Sequence, residues 1–226
     1  PIPEYANLWR NTAIGRFELD GDRSRLVRTL RERPASGTDP HRLAPLYDSA
    51  FWAGDLAEAA RVLADPRFTN YLGVSGAIID PVSVHRAMVA CLLDQPEAAA
   101  EHAREAIAVL EAQTWPLRQE PLAAMLKARA LAYAGKTAEA LAIVSRLRSS
   151  VMESVGIDQR GILHELGRIY ATLGLRDDAL ACLRVLMTGP NTAFFGTPRM
   201  IRIDPCWSRI ADDPRFEEIL KAAKPL

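Results

Sequence analysis

Four glycines constrain this chain more than any other feature. Gly21, Gly54, Gly135 and Gly174 each stand between two segments whose apolar residues recur at three-and-four spacing, as in helices that bury one face. Fixed offsets from them carry like residues. Five positions after come Leu26, Ala59, Ala140 and Ala179, and nine after come Leu30, Leu63, Val144 and Leu183. Four before come Phe17, Ala50, Leu131 and Tyr170, and seven before come Ile14, Tyr47, Ala128 and Gly167. Asp94 fits as a fifth turn, with Ala87, Ala90, Ala99 and Ala103 at the same offsets. Successive turns lie 33, 40, 41 and 39 residues apart.

The frame describes antiparallel helix pairs. Residues seven and four before a turn share one face of the first helix, and those five and nine after share one face of the second. Small residues at the facing positions let the two helices approach closely. Glycine at the turn supplies the left-handed backbone that ends the first helix, and Asp tolerates the same conformation. One pair cannot cover its own apolar face, so successive pairs must stack. Strands between Ala44 and Leu186, or Ala59, Ala140 and Ala179 turned to water, would overthrow this reading.

Composition supports an ordinary folded chain of 226 residues with 49% hydrophobic and 25% charged residues, long enough to bury a core unaided. Lys and Arg number 28 against 28 Asp and Glu, which removes the basic footprint of a nucleic-acid binder. No run reaches the roughly 18 to 20 apolar residues that a spanning helix needs, so no membrane insertion is expected. Cys91, Cys182 and Cys206 are too few and too scattered for a disulfide framework or a CxxC metal site, and are expected to be inert.

Two stretches, Leu166 to Gly174 followed by Asp178-Ala179-Leu180, and Ala128 to Leu141, resemble tetratricopeptide repeats. Arg33, Pro66 and the missing glycine at 94 make the earlier units less regular. The segment Ile201 to Ile210, with Asp213-Pro214-Arg215-Phe216, is similar to the closing motif of tetratricopeptide regions in bacterial multidomain signalling proteins. The resemblance runs from about Trp9 to Leu220. It implies an all-α fold, a right-handed α-α superhelix of about five helix pairs, forming one domain over 1–226 with a C-terminal cap over 201–226. In such proteins the region accompanies a serine/threonine kinase, a nucleotide cyclase or a winged-helix module, in the bacterial cytoplasm or on the periplasmic side of an anchored regulator.

The ending also makes sense unaided. Asp213 is a good N-cap, Pro214 suits the first helical position, and Phe216, Ile219 and Leu220 form one stripe, so a capping helix with Trp207 in its core is expected. Stretches 65–81 and 188–198 are dense in turn formers and read as loops, candidates for contact with a partner. Trp115-Pro116 breaks the helix ending near Ala112 from the next.

No catalytic constellation emerges. His41, His85, His102 and His164 are isolated in sequence, Gly73-Val74-Ser75-Gly76 lacks the spacing of a nucleophile elbow, and Gly156 to Gly161 is followed by Ile162 and Leu163 where a phosphate loop needs Lys and Ser or Thr. No metal, no cofactor and no enzymatic activity are expected in this chain.

What remains is a surface. Projected from the frame, the inward residues of the first helices include Asp48, Trp52, Met88, Met125, Arg129, Tyr133, His164, Arg168 and Thr172. They outline a groove with an apolar end at Trp52 and Met88 and a basic end at Arg129, Tyr133, His164 and Arg168. Two arginines one repeat apart suit a carboxylate held by paired donors. The expected function is a non-catalytic binding scaffold or regulatory module for a protein, a peptide or a neighbouring domain. Two alternatives are a fragment of an enzyme, kinase or cyclase, whose catalytic part lies elsewhere, and a self-association module.

Overall fold

A computed structural model describes residues 3–32, 43–72, 79–115, 120–152, 157–188 and 196–223. Among them the chain is all-helical apart from one short ribbon. The helices are α1 (Pro3–Asp20), α2 (Arg23–Arg31), α3 (Leu43–Ala53), α4 (Leu56–Leu63), α5 (Val82–Leu92), α6 (Pro96–Glu111), α7 (Glu120–Tyr133), α8 (Thr137–Met152), α9 (Ile157–Thr172), α10 (Arg176–Thr188), α11 (Pro198–Ile203) and α12 (Pro214–Lys221). None of the described helices is long and apolar enough to cross a membrane.

Every turn of the frame has the backbone the frame required. Gly21, Gly54, Gly135 and Gly174 take positive φ, and Asp94 at φ 56° is the one described non-glycine residue that does so. Two bonds close four of these turns. At Gly54, for example, the Gly54 N–H reaches the Phe51 carbonyl at 3.0 Å and the Asp55 N–H reaches Ala50 at 2.9 Å. This pattern ends a helix while satisfying its last carbonyls. Asp55 then accepts from the Glu58 N–H at 3.0 Å and caps α4. One residue pair thus ends one helix and starts the next, so the pair geometry is encoded locally.

Packing follows the same frame. All twenty frame residues are buried, and Ala59, Ala140 and Ala179 have no exposed surface. The partners α1 and α2, α3 and α4, α5 and α6, α7 and α8, and α9 and α10 pack against each other. The second helix of each pair packs on the first helix of the next, while α5 packs on α7 and α7 on α9. At the end of the chain, Asp213 accepts from the Arg215 N–H, Pro214 opens α12, and Phe216, Ile219 and Leu220 are buried. Trp207 is buried against Phe216, with ring centroids 6.3 Å apart.

One expectation needs correcting. The stretch 65–81 is not all loop: Asn70–Leu72 (β1) pairs antiparallel with Ile79–Pro81 (β2), Tyr71 opposite Asp80. The pairing satisfies backbone groups that a plain loop would leave to water. These strands fall inside the 44–186 window and so meet the strand criterion as it was worded, which was drawn too widely: they occupy the connection between α4 and α5 and displace no helix. Gly73 to Gly76, Pro116, Gly156, Gly189 to Asn191, Arg33 and His41 lie outside the described residues.

Candidate functional site

The residues projected onto the groove do not line an open one. Met88, on α5, is buried beneath two guanidinium groups: Arg129 Nη2 on α7 donates to its sulfur at 3.7 Å, and Arg168 Nη2 on α9 does so at 3.1 Å. Arg129 and Arg168 are only 3% and 8% exposed. Both arginines reach one carboxylate, Glu165, with Arg129 Nε 3.3 Å from Oε2 and Arg168 Nη1 2.8 Å from Oε1. The carboxylate between the paired arginines is therefore the chain's own.

The cluster extends in both directions. Arg129 Nη1 lies 3.7 Å from Asp80 on β2, and Asp80 is 3.2 Å from His85 Nε2, whose other ring nitrogen meets the Tyr47 hydroxyl at 3.2 Å. At the other end Arg168 Nε lies 3.3 Å from Asp204, and Arg168 Nη2 donates to Cys206 Sγ at 2.9 Å. Here burial alone would raise the Glu165 pKa, but the charges of Arg129 and Arg168 hold it well below the ordinary carboxylate range. Burial also opposes the charge of Arg168, and Asp204, Cys206 and Glu165 outweigh it. For His85 the balance reverses, since burial outweighs Asp80 and pushes its pKa down.

The remaining projected residues fall elsewhere. Asp48 follows the cluster's Tyr47 in sequence but pairs elsewhere, buried 2.5 Å from Arg10 Nε on α1. Buried Trp52 presents its carbonyl to Arg23 Nε at 2.6 Å. Met125 and Tyr133 are buried on α7, and burial raises the Tyr133 phenol pKa strongly. His164 Nδ1 lies 3.5 Å from Glu165, and its Nε2 lies 3.9 Å from Asp204. Thr172 is half-buried and donates to the Arg168 carbonyl at 2.9 Å. Glu165 was legible as an i,i+3 partner of Arg168 on α9 and was not read as such, whereas Asp80, Asp204 and Cys206 were missed because nothing local in the sequence ties them to arginines tens of residues away.

The chain's C-terminal segment covers this face. Thr197 caps α11, Asp204 caps a 3-10 turn over Pro205–Trp207, and Cys206 Sγ rests 3.4 Å from Met88 Sδ. Trp207 packs so closely on α9 that a Cβ on Gly167 would come within 2.4 Å of its ring. Arg209 donates to the Thr172 carbonyl at 2.7 Å and to the Cys91 carbonyl at 3.5 Å. Met200, Ile201, Trp207 and Ile210 are buried, and at about 1.5–3 kcal/mol each their burial amounts to roughly 6–12 kcal/mol. That is a gross gain, before the cost of ordering the segment, and an incoming peptide would have to replace it to displace the segment.

A second site is open. A cleft of about 590 Å³ lies between α4, the base of the ribbon, α5 and α6, walled by Phe68, Val82 and Val109. Arg86, His102 and Glu105 stand at its polar side. Arg86 Nε donates to the Leu63 carbonyl at 2.8 Å, which fixes that guanidinium, while Glu105 is 3.9 Å from Arg86 Nη1 and 3.8 Å from His102 Nδ1, contacts too long to hold Glu105 and His102. Comparison with family models, with curated proteins and with solved structures gives no match.

Proposed function

We propose that this protein is a non-catalytic scaffold of the tetratricopeptide type: a right-handed solenoid of five helix pairs with a C-terminal cap, which binds a protein, a peptide or a neighbouring domain. The observation that carries the reading is the coincidence of five positive-φ turns with twenty buried frame positions, in pairs whose first helices α5, α7 and α9 pack in succession. Stacked pairs of this kind present extended surfaces suited to chains rather than to small substrates. Because the Arg129 and Arg168 face is filled by the chain itself, the reading places the partner at the outer cleft beside Arg86, His102 and Val109.

The test is retention of library peptides by the full chain, compared with an Arg86→Ala, His102→Ala double variant of unchanged helix content. Loss of retention in the double variant supports the reading. A library that yields no binder, or binding indifferent to both substitutions, refutes it.

One observation favours self-association as a second reading. Leu8 is 62% and Leu19 84% exposed, and with Thr12 and Gly15 they form one outward stripe of α1. Sedimentation of wild type against Leu8→Lys, Leu19→Lys decides this. A strict monomer in both cases removes it.

A further inference from the structure

We infer that the segment Thr197–Arg209 is a structural tie, joining the first helix pair to the third and the fifth, so that the protein opens as one unit rather than pair by pair. The inference is independent of any partner. It rests on contacts that bridge most of the chain. Thr197 Oγ1 donates to Glu18 Oε1 on α1, and Arg199 Nη1 donates to the Glu18 carbonyl and, at 3.3 Å, to the Phe17 carbonyl. These carbonyls lie in the last turn of α1, where no following helical N–H claims them all. On α5 the segment holds Met88 through Cys206 and the Cys91 carbonyl through Arg209. On α9 it holds Arg168 through Asp204 and Cys206, and the Thr172 carbonyl through Arg209.

A stack joined only through neighbours loses its terminal units first, because each unit is stabilised by one interface or two. Here the first pair has a second attachment 179 residues further along the chain. Loosening it removes support from α1 and from the cover over Met88 and Arg168 together. The polar contacts to α1 are the thin part of the tie, and the buried apolar residues Met200, Ile201 and Trp207 are its anchor.

The three free cysteines supply the assay. Cys206 sits in the tie, Cys182 is buried on α10, and Cys91 is only partly buried. The full chain is exposed to a disulfide reagent over a series of urea concentrations, and each thiol's labelling rate is followed by mass spectrometry of its peptide. Slopes are compared rather than rates, because the thiols differ in intrinsic reactivity. The expected result is one common urea slope for Cys182 and Cys206, with Cys91 labelled earlier. A Glu18→Ala, Arg199→Ala variant, which leaves the Thr197 cap of α11 in place, is expected to speed Cys182 and Cys206 by the same factor, about tenfold, which corresponds to 1.4 kcal/mol. A shallower slope for Cys206 than for Cys182 overturns the inference, as does a variant that accelerates Cys206 alone or neither thiol. If the variant does not fold, the wild-type slopes decide by themselves.

Discussion

Replacing Glu165 by Gln tests the charge cluster most directly, because it keeps the shape and the carbonyl oxygen but deletes one negative charge between two buried guanidiniums. In the native protein Arg129 and Arg168 lie 3.3 and 2.8 Å from this carboxylate, with Asp80 and Asp204 at 3.7 and 3.3 Å as their remaining counterions. Removing one partner of a buried ion pair costs about 3–5 kcal/mol, since the stranded charge keeps its desolvation penalty. With a urea slope of about 2–3 kcal/mol/M, the unfolding midpoint falls by roughly 1–2.5 M. Circular dichroism at 222 nm in a urea series reads this directly. The pH dependence adds a second handle. The Glu165 pKa is lowered on folding, so its stabilisation is complete above the unfolded carboxyl value near 4.3 and is lost as pH falls through the folded value. The gap between wild type and Glu165→Gln should therefore stay constant from pH 7 to about 5.5 and narrow in stronger acid. A loss under about 1 kcal/mol at pH 7 refutes the reasoning, because it would place the pair in the range of solvent-exposed ones. So does a gap that does not narrow.

Other substitutions probe single links of the argument. Gly167→Ala places a methyl 2.4 Å from the Trp207 ring, and overpacking of that kind costs about 1–3 kcal/mol against a helix-propensity gain of at most ~1 kcal/mol, so a lower melting temperature is expected. Asp94→Gly should stabilise by about 0.5–1 kcal/mol by removing left-handed strain, whereas Gly135→Ala should destabilise by about 1–2 kcal/mol although its Cβ meets nothing within 4 Å; urea midpoints give both signs. The His85 pKa is pushed down by burial, so the unfolded chain takes up its proton first and stability should decline as pH falls below about 6.5. His85→Gln should flatten that limb of a pH series of urea midpoints.

The helix pairs were legible in the sequence because their determinants are local. A turn residue with positive φ, a small residue five positions on and an apolar residue nine on all lie within three helical turns of one another. Asp94 shows how far this goes, since the offsets identified the turn without a glycine. The ribbon was not legible, because three-residue strands carry no alternation long enough to count and Pro81 and the turn formers beside them point to a loop. Of the charged face, Arg129 and Arg168 were projected to neighbouring positions one repeat apart, and both do reach one carboxylate. Their partners were not foreseen, because Asp80 and Asp204 arrive from a ribbon and from the chain's end, where the repeat period does not apply.

The contact between α1 and the residues just before and within α11 bears on how such a chain can change length. In an array where each unit touches only its neighbours, duplication or loss of a unit lengthens or shortens the molecule and leaves every remaining contact intact. Here the number of units between Glu18 and Thr197 sets the span that the bond must bridge. Inserting a further helix pair anywhere between them would carry the two ends apart, so the chain could be lengthened there only by giving up the clasp.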